Sequence, residues 1–282
     1  MDTARNTAPL CLITGANSGL GKAMATALAR QGMGIVMVCR NPETAEVARS
    51  EIQAASEGPP VEVLLADLSD LSEVRRVAEA FRARHDSLHV LINNAGLYLP
   101  KRHVTVDGLE TMFAVNHMAP FLLTQLLEKP LTAARGARVV TVSSEGHRVG
   151  HLDFDDLQRE RSFQAFRQYG ATKLANILFT RELARRWADR GVVASCFHPG
   201  AVATGFAQDE PGLFGSLVKL GRPFLRSAEK GAETGIFLAS QPEVPHAQGS
   251  YFIDRKPRRP SREARNDAVA TRLWEASEQI AG

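Results

Sequence analysis

The 282-residue sequence predicts a single-domain α/β protein, a doubly wound and mostly parallel sheet of seven strands with helices on both faces. Three observations predict it. Short apolar runs alternate with longer amphipathic stretches from one end of the chain to the other. The runs are apolar on both alternating faces, as strands buried on two sides are. Strand–helix alternation with right-handed crossovers then leaves a parallel sheet covered on each face, with ligands expected at the carboxyl ends of the strands.

The elements follow in order. Residues 10–13 (LCLI) form the first strand, and the helical pattern of 19–31 follows. Residues 34–39 (GIVMVC) are the second strand, followed by a helix over 43–56 that Gly58-Pro59-Pro60 stops before the third strand at 61–65. A helix over 70–84 leads to the strand at 88–92, and a helix over 108–128 leads to the strand at 137–143. The longest helical pattern, 164–190, precedes the strand at 192–197, which Pro199-Gly200 ends. A helix over 228–240, a strand at 250–253 and a helix over 262–279 complete the chain. Residues 1–8 are polar and are expected to be a flexible tail. The segment 211–223, rich in Leu and Phe, fits neither a strand nor a long helix; it reads either as a short helix packed on the core or, over residues 205–225, as a cover on a substrate pocket, as long insertions at a strand's carboxyl end often are.

Composition narrows the function. A formal charge of +3 is too small to argue for nucleic acid, and the arginines crowded between Arg255 and Arg265 read as a solvated surface loop. A chain of this length buries about three quarters of its unfolded surface and needs no metal or disulfide staple. Cys11, Cys39 and Cys196 each sit inside an apolar run, and none forms a CxxC pair, so they read as buried thiols of a reducing compartment. With no signal peptide and no long uncharged apolar window, the expectation is a cytoplasmic protein without a membrane span.

The first strand runs into Thr14-Gly15-Ala16-Asn17-Ser18-Gly19-Leu20-Gly21 and so into the first helix. This is where a glycine turn cradles a pyrophosphate: Gly15 and Gly19 admit close backbone approach, Gly21 lets the helix pack on the sheet, and the helix N-terminus attracts the anion. The context marks a Rossmann-type dinucleotide site. Arg40 ends the second strand, where an acid would hold the ribose of NAD(H); a guanidinium there suits a 2′-phosphate, so NADP(H) is favoured over NAD(H). Asp67 and Leu68 follow the third strand, where a carboxylate can accept a hydrogen bond from adenine or simply cap a helix, a role for which Asp70 competes. Asn94, Ala95 and Gly96 follow the fourth strand and leave room for a flat ring.

Tyr169 and Lys173 are four residues apart, on one face of a helix. A phenol is a poor base at neutral pH, and a nearby ammonium lowers its pKa toward the working range. Ser144 ends the fifth strand and would face the ligand crevice, while Ser143 would face the other way.

In that order the motifs TGANSGLG, NNAG, Asn116, Ser143-Ser144, Tyr169-x-x-x-Lys173 and Pro199-Gly200 resemble the short-chain dehydrogenase/reductase family. Cys39-Arg40-Asn41, the run from Lys173 to Leu183, His198-Pro199-Gly200 and Arg265-Asn266-Asp267 resemble its retinol-dehydrogenase-like branch. The resemblance implies that Tyr169 is the general acid/base, that Lys173 holds the nicotinamide ribose, that Ser144 binds the substrate oxygen and that Asn116 fixes a relay water. It also implies a cofactor site lined by Gly15, Asn17, Ser18, Gly19, Leu20, Gly21, Arg40, Asp67, Leu68, Asn94, Ala95, Gly96, Tyr169, Lys173, Pro199, Gly200, Val202 and Thr204. The implied reaction is hydride transfer between nicotinamide and the carbonyl or alcohol carbon of a small apolar molecule. Membrane-bound animal members carry an apolar N-terminal anchor, and the polar start of this chain leads us to expect a soluble protein. Pairing through the helices of Asn116 and Tyr169, into a homodimer or homotetramer, is a further implication. The alternatives are a catalytically inactive nucleotide-sensing or scaffolding protein on the same fold, a sugar-nucleotide epimerase or dehydratase, whose glycine spacing is absent, and a metal hydrolase using His147 and His151.

Overall fold

A computed structural model of the chain describes residues 8–201 and 226–282. Its strands form one sheet in the order β3-β2-β1-β4-β5-β6-β7-β8. β1 (Leu10–Thr14), β2 (Gly34–Cys39), β3 (Glu62–Leu65), β4 (Val90–Asn93), β5 (Arg138–Val142), β6 (Val193–His198) and β7 (Ser250–Ile253) are parallel. Alternation along β1 sends Leu12 to one face and Cys11 and Ile13 to the other. The Leu12 face packs on α3 (Leu71–Arg82), α5 (Ala119–Leu126) and α7 (Ala165–Arg186), and the Ile13 face on α1 (Gly19–Arg30), α2 (Pro42–Ala54) and α8 (Ala228–Ser240). Strand order reverses at β1, between β2 and β4, so the crevice beyond these carboxyl ends is the topological switch point.

Among the described residues the sheet has eight strands, one more than expected. β8 (Lys256–Arg258) runs antiparallel to β7 as an exposed edge within the basic stretch read as a loop. The turn between them places Asp254 (φ 50°) and Arg255 (φ 62°) in the left-handed region, where a hairpin turn ordinarily uses glycine or asparagine. Charged side chains, Pro257 and no glycine hide the strand from a reading of apolar runs.

The helix expected over 108–128 is divided into α4 (Thr111–Phe113), a π-helical segment (Ala114–Met118) and α5, and α6 (Glu128–Ala133) follows. Pro120 lies in the first turn of α5 and has no N–H for the carbonyl four residues back, that of Asn116. A π-turn just upstream accommodates this defect and rotates the residues before it.

The last helix, α9 (Asp267–Ala281), lies against α5 and α7. Trp274 meets Phe121 edge-on at 5.1 Å and stacks on Phe179 at 6.0 Å. Part of the surface expected to meet a second copy is therefore covered by the chain's own C-terminal helix. No helix among the described residues is long and apolar enough to cross a membrane.

His117 is sealed beneath α9 among Phe113, Phe121 and Phe179. The Ser277 hydroxyl donates to the Leu273 carbonyl (2.7 Å), so it accepts from His117 Nε2 (2.8 Å), and Nδ1 has no hydrogen-bond partner among the described residues. Burial pushes this imidazole down to about 3. The unfolded chain binds a proton below about 6.5 that the folded chain refuses, so stability falls as pH drops through that value and levels off near 3. Urea denaturation at stepped pH should show this loss, and His117→Gln should make the slope between those values shallower.

Candidate active site

The carboxyl ends of β1 and β4 are stitched together before any ligand is considered. Thr14 Oγ1 accepts from the backbone N–H of Asn94 and of Ala95 (both 3.0 Å), and Asn94 Nδ2 donates to the carbonyls of Thr14 (2.8 Å) and Gly15 (3.2 Å). Asn94 thus braces the glycine turn. Gly15 (φ 66°) and Gly19 (φ 50°) take the left-handed conformation, and a Cβ on Gly21 would stand 2.2 Å from the Gly15 carbonyl oxygen. Ser18 stands at the N-cap of α1 without a side-chain cap, leaving the first amides of that helix facing the crevice. The side chains of Leu20 and Leu68 are packed into the two cores, so their backbone is what they can offer a ligand.

Around the crevice, Asn17 Nδ2 donates to Thr44 Oγ1 (3.0 Å), tying the turn to α2, which Asn41 caps through the Thr44 N–H. Arg40 is largely exposed at the end of β2, with Nη1 3.9 Å from Asp67 Oδ2. Asp67 accepts from the N–H and hydroxyl of Ser69, while Asp70 caps α3. Asp70, not Asp67, is the helix cap, and Asp67 stays exposed beside Arg40.

Lys173 is 4% exposed, and its ammonium donates to the Val142 carbonyl (3.3 Å) and lies 5.6 Å from the centre of the Tyr169 ring. The Ser144 hydroxyl and the Tyr169 ring meet beside Gly146, where a Cβ would lie 3.4 Å from Ser144 Oγ and 3.3 Å from the Tyr169 ring, and the hydroxyl is near enough to lower the phenol's pKa. Ser143 turns the other way and donates to the Lys173 carbonyl (2.8 Å), as strand alternation requires. Tyr98 meets the Tyr169 ring edge-on at 6.0 Å. Gly96 fits where a Cβ would come within 3.2 Å of Lys173 Nζ and 3.3 Å of Asn116 Oδ1.

The electrostatics correct one expectation. Burial pushes the Tyr169 phenol up to about 12, opposed by the Ser144 hydroxyl, and burial holds Lys173 down to about 8. The ammonium was expected to lower the phenol; it is instead engaged by a backbone carbonyl and is itself short of water. The phenol therefore keeps its proton at neutral pH.

The Asn116 side chain is engaged within the protein. Oδ1 accepts from Leu97 N–H (2.8 Å), and Nδ2 donates to the Leu97 carbonyl (3.0 Å) and to Thr172 Oγ1 (3.0 Å), so the amide braces the loop after β4 against α7. Val202, Thr204 and the expected cover at 205–225 lie outside the described residues. Pro199 and Gly200 lead to them, and the Arg226 N–H donates to the Ala201 carbonyl (2.7 Å) where the description resumes. His147 and His151 do not converge: His147 is held by the Ser144 carbonyl and the Ser261 N–H, and His151 pairs with Glu263. No metal-binding cluster occurs among the described residues. A surface cavity of about 820 Å³ lined by Arg148, His151, Phe154 and Arg272 includes none of Ser144, Tyr169 or Lys173.

A set of contacts escaped the sequence reading. A Cβ on Gly150 would lie 2.2 Å from the Gly170 carbonyl oxygen, and one on Gly170 would lie 2.6 Å from that of Gly146. The turn after Ser144 thus packs backbone to backbone on the turn of α7 that carries Tyr169. Nothing in the spacing of the three glycines shows that they meet.

The fold, the glycine turn and the Ser–Tyr–Lys geometry define a class, the nucleotide-dependent oxidoreductases. The sequence pattern described as "short chain dehydrogenase" matches residues 9–211, and the chain belongs to that family. It is 42% identical over 271 residues to retinol dehydrogenase 12 of Mus musculus, covering 96% of this chain and 85% of that protein, which places it in the retinol-dehydrogenase-like branch. A crystal structure of an uncharacterized protein from Mycobacterium paratuberculosis is 35% identical and superposes with a TM-score of 0.79, covering 97% of this chain and 93% of that one. A blue fluorescent protein from a metagenomic library, solved in complex with NADPH, is 25% identical with a TM-score of 0.68, covering 88% and 96%.

Gly150 has no left-handed φ, so replacing it tests packing alone. Gly150→Ala should cost about 1–3 kcal/mol in denaturant unfolding, as overpacking of a tight contact does.

Proposed function

We propose that the protein is an NADP(H)-dependent carbonyl reductase acting on a small apolar aldehyde or ketone, and on the corresponding alcohol in reverse. One observation carries the reading: the buried Tyr169 phenol stands beside the Ser144 hydroxyl, with a buried ammonium, Lys173, next to its ring. Burying that ammonium opposes its charge, a cost that marks catalytic sites. A nucleotide sensor or scaffold on the same fold has no use for it.

The residues present fit the dinucleotide. Gly15 and Gly21 leave a cradle that a Cβ would fill, and the uncapped amides at Ser18–Gly21 suit a pyrophosphate. Arg40 would grip a 2′-phosphate, Asp67 would accept from adenine, and Pro199, Gly200, Val202 and Thr204 would flank the nicotinamide end. When bound, the dinucleotide supplies the hydride.

The chain's residues do the rest. Ser144 donates to the substrate oxygen and orients the carbonyl. Tyr169 gives its proton to that oxygen as negative charge develops there. Lys173 holds the nicotinamide ribose and is the next proton source. The Asn116 side chain is engaged, so its backbone carbonyl, which Pro120 cannot serve, is the acceptor for a relay water. A phenol that retains its proton suits reduction better than oxidation. The substrate's apolar character is supported by likeness to a protein named for retinol. The buried free thiols of Cys11, Cys39 and Cys196 support a reducing compartment such as the cytoplasm.

The test is an absorbance screen of aldehydes, ketones and alcohols with both nucleotides. Tyr169→Phe should keep NADPH binding, read by fluorescence, and lose roughly 100-fold or more in turnover; turnover at the parent rate would remove the acid from the mechanism. Arg40→Ala should lower kcat/KM for NADPH by roughly 10- to 100-fold, the worth of a charged hydrogen bond, and leave NADH almost untouched.

A further inference from the structure

The N-terminal half of α7 presents two neighbouring stripes. Tyr169 and Lys173 form one; Gln168 and Thr172, each one residue earlier, form the other, rotated by about 100°. The second stripe docks on the elements around Asn116. Thr172 Oγ1 accepts from Asn116 Nδ2 (3.0 Å). One turn earlier, Gln168 Nε2 donates to Glu110 Oε2 (2.7 Å).

Glu110 is fully buried, and no Lys or Arg pairs with it among the described residues. Its carboxylate is held instead by the N–H groups at the start of α4, those of Met112 (2.9 Å) and Phe113 (2.8 Å), and by Gln168. A shorter cap such as Asp or Ser would satisfy the helix amides. The extra methylene reaches the residue next to Tyr169. The Gln168 amide has one orientation, because Oε1 accepts from Arg159 Nε (3.2 Å), a donor only, and the carboxylate is an acceptor only. Gln158 Oε1 accepts from the Glu110 N–H (2.7 Å), closing the network over both side chains.

We propose that Glu110 and Gln168 are a positioning pair for the reaction. They tie the first turn of α7 to the helix that leads into Asn116 and so fix the Tyr169 phenol against Ser144 and Lys173. The proposal rests on Tyr169 being the acid. Neither residue touches the substrate; both act through Tyr169.

Gln168→Met, Glu110→Gln, the double variant and Tyr169→Phe are compared in the full chain, with NADPH and octanal as the probe substrate. KM, kcat, NADPH affinity and melting temperature are read together. Each single change should lower kcat by roughly 10- to 100-fold, the effect of a misplaced catalytic group, with KM and NADPH affinity unchanged. The double variant should be no slower than the slower single one, because both act on the same hydrogen bond, which Gln168→Met removes and Glu110→Gln, whose amide oxygen can still accept, weakens. A folded Gln168→Met that turns over at the parent rate while Tyr169→Phe is inactive overturns the proposal. So does a loss of kcat that only follows loss of melting temperature and NADPH affinity. If Tyr169→Phe is active, the acid assignment fails instead. Should Glu110→Gln not fold, Gln168→Met decides, since it leaves the helix cap in place.

Discussion

The seating of α7 on the end of β5 is the constraint on which the site depends. The Ser143 hydroxyl reaches the Lys173 carbonyl, the Lys173 ammonium reaches the Val142 carbonyl, and Asn176 Nδ2 donates to the same oxygen (3.1 Å). All three contacts are buried, where an unmet polar group is expensive, so helix and strand hold one register. That register brings Tyr169 to Ser144. The glycine contacts at 146, 150 and 170 then set how closely the intervening turn approaches.

Burial gives this arrangement its chemistry and also limits it. Removing water raises the phenol and lowers the ammonium, so the protonated phenol and the weakened cation sit side by side. In the function proposed above, such a donor suits carbonyl reduction, in which negative charge develops on a neighbouring oxygen.

Much of this was legible in the sequence, for local reasons. Two-sided apolar runs showed the parallel strands, and the helix over 228–240 matches α8 in full. Strand alternation separated Ser143 from Ser144, and the i, i+4 spacing put Tyr169 and Lys173 on one face. What could not be read depends on contacts distant in sequence or on unusual turns. β8 has no apolar pattern and is reached through left-handed Asp254 and Arg255. The π-helical segment is a local response to Pro120 that a 3.6-residue period does not reveal. Glu110 and Gln168 look like surface residues, and only the fold shows that both are buried and bonded. The direction of the phenol's pKa was misjudged because a helical wheel gives the lysine's side of the helix and not its depth.

The placement of α9 bears on how the molecule is made. The strand next to β6 and the helix that carries Trp274 both come from the last part of the chain. While a nascent polypeptide still lacks them, α5 and α7 have an uncovered aromatic face, and one edge of β6 is unpaired. Both faces of the sheet are therefore completed late in synthesis, the glycine-turn helix α1 by α8 and the aromatic face of α5 and α7 by α9.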